Sequence, residues 1–97
     1  MKTYCFDIDG TICSKNNLEY EKAKPFKDVI KKINALYNEG NNIIFLTARG
    51  FVTGINWREV TENQLKKWKV KYHKLYFGKP DADIYIDDKA VNIDDWR

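Results

Sequence analysis

The sequence predicts a single small α/β domain built on a mostly parallel sheet, and three observations carry the prediction. Short β-forming runs alternate with two segments whose apolar residues recur at helical spacing. No repeat, low-complexity tract or Gly/Ser/Pro-rich linker divides the chain. At 97 residues there is room for one core and no second domain, so residues 1–97 are read as one unit. The expected order is β-α-β-α-β-β, about four strands in three layers, with right-handed crossovers placing helices on both faces of the sheet.

Each element has its own signal. Thr3–Ile8 is rich in β-formers and stops at Asp9-Gly10, a strand running into a turn. Residues 12–24 are mostly polar around Asn16-Asn17 and suit a small hairpin or flap. From Pro25 to Glu39, Phe26, Val29, Ile30, Ile33, Leu36 and Tyr37 share one helical face, with Pro25 opening the helix and Gly40 closing it. Ile43–Leu46 reads as a buried strand ending at Thr47. Asn56 and Glu59 resemble a capping pair for a second helix that runs to about Lys69, its stripe including Trp57, Leu65 and Trp68. Lys74–Phe77 and Asp83–Ile86 read as two further strands.

The composition, 43% hydrophobic and 14% aromatic, supports a packed interior. A net charge of +3 is too small an excess to indicate a polyanionic partner. The longest apolar run, Ile43–Leu46, is far short of the roughly 20 residues a spanning helix needs. With no apolar stretch of signal-peptide length near Met1, the expected location is the cytoplasm, without a membrane partner. Cys5 and Cys13 are expected as reduced thiols, Cys13 close enough to the strand end to be sensitive to oxidation.

The informative feature lies at the strand ends. The four expected strands finish in Asp7-Ile8-Asp9-Gly10-Thr11, Thr47, Lys79 and Asp87-Asp88. A parallel sheet collects such groups at one edge, where ligands bind. Four carboxylates gathered without a cation would repel one another, so the pattern points to a hard metal ion, by default Mg²⁺.

These residues resemble the haloacid dehalogenase (HAD) superfamily of Mg²⁺-dependent phosphatases and phosphotransferases, over the whole chain. Asp7-Ile8-Asp9-Gly10-Thr11 fits the first motif, Thr47 the second, Lys79 the third and Asp87-Asp88 the fourth, in the family's order. The resemblance implies a Rossmann-like domain in which Asp7 attacks phosphorus to form an aspartyl phosphate and Asp9 is the general acid and base. It implies Thr47 and Lys79 as donors to the phosphoryl oxygens, with Thr11 as a support that ties the turn through its hydroxyl. The implied Mg²⁺ ligands are Asp7, the Asp9 carbonyl and Asp87, with Asp88 close by.

Both motif intervals are too short for a cap domain. The chain is therefore similar to the small cap-less phosphatases of capsule and surface-polysaccharide synthesis, which implies a small sugar or polyol phosphate as substrate. The open site also allows a homo-oligomer in which a second subunit covers it. Arg49 and Thr53 follow Thr47 closely enough to reach a substrate, although Arg49 pairing with Asp87 or Asp88 fits the sequence equally well. The 3′-phosphatase domains of polynucleotide kinases share the layout, and Lys66–Lys74 is basic and aromatic-rich, so a nucleic-acid 3′-phosphatase is the alternative. A phosphoacceptor receiver domain is a third reading, from a different class. His73, the one histidine, is read as a surface or structural residue.

Overall fold

The computed structural model describes residues 1–97. In chain order it comprises β1 (Thr3–Phe6), a short 3₁₀ turn (Tyr20–Lys22), α1 (Lys27–Asn38), β2 (Asn42–Thr47), α2 (Arg58–Lys67), β3 (Lys74–Phe77) and the single-turn α3 (Ile93–Trp96). The sheet is parallel in the order β1-β2-β3, with Cys5, Ile44 and Lys74 in one row and Phe6, Phe45 and Leu75 in the next. The predicted α/β class holds, and no cap is inserted.

Alternation along β2 locates the core. Ile43, Phe45 and Thr47 are buried while Asn42, Ile44 and Leu46 are only half-buried, so one face of the central strand is sealed and the other is not. The sealed side receives Val29, Ile30 and Ile33 from α1 and Thr61 and Leu65 from α2. Trp96 of α3 joins them through an edge contact with Phe6, ring centroids 5.2 Å apart. Burying Phe45 completely is worth about 1.5–3 kcal/mol, and it sits at the centre of this cluster.

Two expectations are corrected here. The helices lie on one face rather than both, giving two layers instead of three. Strands added in sequential order by crossovers of one hand send each helix to the same side. Moreover, the sheet has three strands: Asp83–Ile86 forms no strand and lies in an extended segment between β3 and α3, with Ile84 and Ile86 75% and 95% exposed. It pairs with no strand within the protomer.

The connections are local in origin. Gly40, at φ +92°, closes α1 as its position suggested. Asn56 Oδ1 accepts from the Arg58 N–H at 3.0 Å just ahead of α2, but the N-cap position is Trp57, which carries no side-chain cap, and no return bond from Glu59 forms. Residues 12–24 form the expected flap without named strands: an antiparallel bridge joins Cys13 to Pro25, flanked by the Phe26 N–H to Ile12 O and Ser14 N–H to Lys24 O bonds, and the loop between them reaches the cleft. His73 is structural: its Nδ1 accepts from the Ile43 N–H at 3.0 Å, its own N–H donates to the Ile43 carbonyl, and its ring stacks on Tyr37. No helix is long and apolar enough to cross a membrane.

Candidate active site

Asp7 is the first residue beyond β1, where the chain turns at the carboxyl edge of the sheet. The turn is held by main-chain bonds, Gly10 N–H to Cys13 O and both Thr11 and Ile12 N–H to Ile8 O. It therefore does not depend on the Thr11 hydroxyl, contrary to expectation. Gly10 has φ +81°, and a Cβ there would run into the Lys15 side chain. Asp7 Oδ1 accepts from the Ile8 N–H at 2.8 Å, and Oδ2 lies 3.5 Å from Lys79 Nζ. Burial pushes the Asp7 carboxyl above the usual carboxylate range, an effect that the Ile8 N–H and the Lys79 charge partly offset.

Asp9 is held differently. Arg49, at 3% exposure, donates from Nε to Asp9 Oδ2 at 2.9 Å and from Nη2 to Oδ1 at 2.8 Å. Its Nη1 donates to Thr61 Oγ1 and to Gln64 Oε1, and its guanidinium lies over the Tyr20 ring at 4.8 Å. The carboxylate that Arg49 pairs with is thus Asp9, not Asp87 or Asp88. Cys13 Sγ contacts Ile8 O and Asp9 Oδ1 at 3.6 Å. Cys13 is fully buried, and burial first and the Asp9 charge second push its thiol up to about 12.

Thr47 ends β2 almost fully buried, with Oγ1 accepting from the Arg49 N–H at 3.1 Å. It is not among the residues that line the cleft. The Lys79 N–H donates to Thr47 O, which places its side chain across the sheet edge beside Asp7 and over the Tyr85 ring at 4.4 Å.

The cleft has a volume of about 380 Å³. Asp7, Asp9 and Arg49 form its charged floor; Ala48, Gly50, Val52 and Thr53 form one side. Lys15, Asn17, Leu18 and Tyr20 supply a second side, and Asp81, Ala82 and Tyr85 a third. The last two groups were not recognised as site residues. The flap was legible in the sequence, but no spacing rule says which side chains of an irregular loop point inward.

Asp87 and Asp88 are exposed, on the segment between β3 and α3, and they do not line the cleft. Asp87 is held in the carboxylate form by the Lys89 N–H, to which its Oδ1 is bonded at 2.9 Å. Nowhere do three Asp, Glu, His or Cys side chains gather as metal ligands. At the strand ends only Asp7 and Asp9 meet, each already facing a cation, so the protomer's donor set does not fit a hard divalent ion.

None of Lys66–Lys74 lines the cleft. The stretch runs from the end of α2 to the start of β3, where Lys71 Nζ donates to Asn38 Oδ1, at the opposite end of the sheet from Asp7.

No protein-family model and no curated protein matches the chain. Among solved structures, a complex of Pnkp1, Rnl and Hen1 is similar in fold, with TM-score 0.67 and 22% identity over 90% of this chain and 30% of the other. A structure of the Pnkp1/Rnl/Hen1 RNA repair complex gives TM-score 0.63 and 23% identity over 90% and 28%. The chain thus spans less than a third of those proteins. A crystal structure of a Vibrio cholerae protein matches with TM-score 0.89 and 30% identity, covering 99% of this chain and 87% of that one. With that identity over nearly its whole length, the chain belongs to the same family as the Vibrio cholerae protein.

Proposed function

We propose that the chain is a HAD-type phosphatase that hydrolyses the phosphate monoester of a small metabolite through an aspartyl phosphate on Asp7. The observation that carries the reading is Asp7 itself: a carboxylate at the tip of β1, on the floor of a solvent-open cleft, 3.5 Å from the Lys79 ammonium. The motif order and the fold shared with the Pnkp1-containing complexes support it.

In the first step an Asp7 oxygen forms a bond to phosphorus as the bond to the leaving oxygen breaks, the leaving oxygen takes a proton from the Asp9 carboxyl, and Lys79 offsets the charge on the phosphoryl oxygens. In the second, water attacks phosphorus, the acyl phosphate P–O bond breaks, and phosphate departs with Asp7 regenerated. Asp9, its carboxyl oriented by the Arg49 fork, takes from the attacking water the proton it gave to the leaving oxygen.

A cleft of about 380 Å³ with tyrosines on two sides suits a sugar or polyol phosphate. The distance of Lys66–Lys74 from the cleft weighs against a nucleic-acid substrate. The test is phosphate release from a panel of sugar, polyol and nucleoside phosphates and 3′-phosphorylated oligonucleotides, with Asp7→Asn as blank. Turnover of a small phosphate, lost in Asp7→Asn, supports the reading. Preference for the oligonucleotide replaces the substrate class, and release equal to the blank across the panel removes the phosphatase.

A further inference from the structure

β1 is the terminal strand of the sheet, so its outer edge offers backbone N–H and C=O groups to no neighbouring strand. The same protomer carries a β-forming stretch, Asp83–Ile86, that pairs with no strand and exposes Ile84 and Ile86, while Tyr85 lies under Lys79 at the cleft wall. A free edge and an unpaired apolar strand former are complementary surfaces.

We propose that Asp83–Ile86 of one protomer adds in parallel to the outer edge of β1 in a second copy of this chain and delivers Asp87 and Asp88 to the partner's Asp7. The inference deepens the reading of Asp7 as the phosphate acceptor and rests on it for the role of the delivered acids. The side-chain pattern sets the register. Tyr4 and Phe6 face the helix-covered side, where Phe6 meets Trp96, so Ile84 and Ile86 laid beside them extend that core. Tyr85 then falls beside Cys5 on the open face. Asp83 then lies level with Thr3, and Asp87 level with Asp7, where the Lys79 ammonium stands 3.5 Å from the Asp7 carboxylate.

The chain's own geometry excludes the same pairing within one protomer. Phe77 is level with Ile8, through its pairing with Thr47, whereas Asp83 has to lie level with Thr3. That is about 16 Å down the strand direction and about 14 Å across three strand spacings, so about 22 Å in a straight line through the sheet. Six residue steps from Phe77 to Asp83 span at most about 21 Å fully extended, with no length left to go around the sheet. An antiparallel addition within the protomer is reachable, but it carries Asp87 and Asp88 to the end of β1 away from Asp7. Only a second copy brings the acid pair to the site. The exchange accounts for the exposure of Asp87 and Asp88 outside the cleft that Asp7, Asp9 and Asp81 line.

The test uses the full chain carrying Tyr85→Cys, oxidised mildly and run on a non-reducing gel with peptide mapping. The expected product is a disulfide between chains linking position 85 to native Cys5, because residues side by side on neighbouring strands lie within disulfide reach. Sedimentation of the otherwise wild-type chain should show dimers, and Ile84→Asp with Ile86→Asp should sediment as monomer. A disulfide within one chain, or a monomer that does not cross-link, overturns the proposal. Mixing Asp7→Asn with Asp87→Asn/Asp88→Asn, each inactive alone, should restore about one quarter of wild-type phosphatase activity, since half the dimers are mixed and each has one complete site. No restoration from an active wild type overturns delivery of the acids. A wild type without activity removes the phosphatase reading and leaves the strand exchange to be judged by cross-link and sedimentation.

Discussion

Arg49 and Asp9 stand forty residues apart in the chain and are joined by two parallel hydrogen bonds, 2.9 and 2.8 Å long, in a fork that also reaches Thr61 and Gln64 of α2. One side chain thereby connects the turn after β1, the loop after β2 and the second helix. The Gln64 Nε2 continues the chain of contacts to the Tyr20 carbonyl at 2.7 Å, drawing in the flap.

Removing that connector should be costly. Arg49→Met leaves the Asp9 carboxylate, the Thr61 hydroxyl and the Gln64 carbonyl without their shared donor in a buried setting, so it should destabilise the fold by about 3 kcal/mol. Arg49→Lys cannot span the fork and should lose about half as much. Urea unfolding of the three proteins measures both; a loss below about 1 kcal/mol for Arg49→Met would show that the pair contributes little.

The loop that follows Arg49 depends on a glycine. Gly50 has φ +82°, and an added Cβ would run into the Ile55 carbonyl oxygen, a backbone atom that cannot swing aside. Gly54, at φ +74°, faces open space. Gly50→Ala should therefore cost about 2–3 kcal/mol, and Gly54→Ala only the left-handed penalty of about 1 kcal/mol. Equal midpoints in thermal denaturation for the two variants would contradict this.

The two cysteines should differ in alkylation. Cys5 is exposed on the open face of the sheet, whereas Cys13 is buried with its thiol pushed up to about 12. Brief treatment with iodoacetamide at pH 8 should add one label, at Cys5, and a second only after unfolding. Fragmentation mass spectrometry of the tryptic peptide Thr3–Lys15, which carries both cysteines, decides it, and early labelling at Cys13 would be the contrary result.

The C-terminal turn should loosen in acid. Arg97 donates twice to Asp28, at 2.8 and 3.0 Å, and these bonds hold the Asp28 carboxyl below its ordinary value of 3.8. A carboxylate whose pKa is depressed on folding adds stability that is complete above its unfolded value and is lost as pH falls through the folded one. The stability difference between the wild type and Asp28→Asn should therefore be constant from about pH 5 upward and shrink below about pH 4. A gap that persists at pH 2 would assign the difference to something other than ionisation.

Much of this was readable before any coordinates. α1 and β2 are bounded within two residues of their predicted limits, and β3 runs over Lys74–Phe77 as predicted, because short-range patterns define them: a 3.6-residue stripe ended by Gly40, and apolar runs ended by polar residues. The positions of Asp7, Asp9 and Lys79 at one edge follow from parallel order alone. Which cation faces which carboxylate did not. Arg49 can reach several acids from the end of β2, and only the location of Thr61 and Gln64 on α2 turns it toward Asp9.

What the sequence by itself determined is therefore the set of elements and the reactive groups at their ends, since both are written in local periodicity and in residue type. The tertiary structure decided the number of strands, the single covered face, the cleft walls and the exposure of Asp87 and Asp88. Those depend on chain reach and on the hand of the crossovers. Five residues between Phe77 and Asp83 are too few to carry a strand back across the sheet in parallel, and that limit arises only when the strands have places in space.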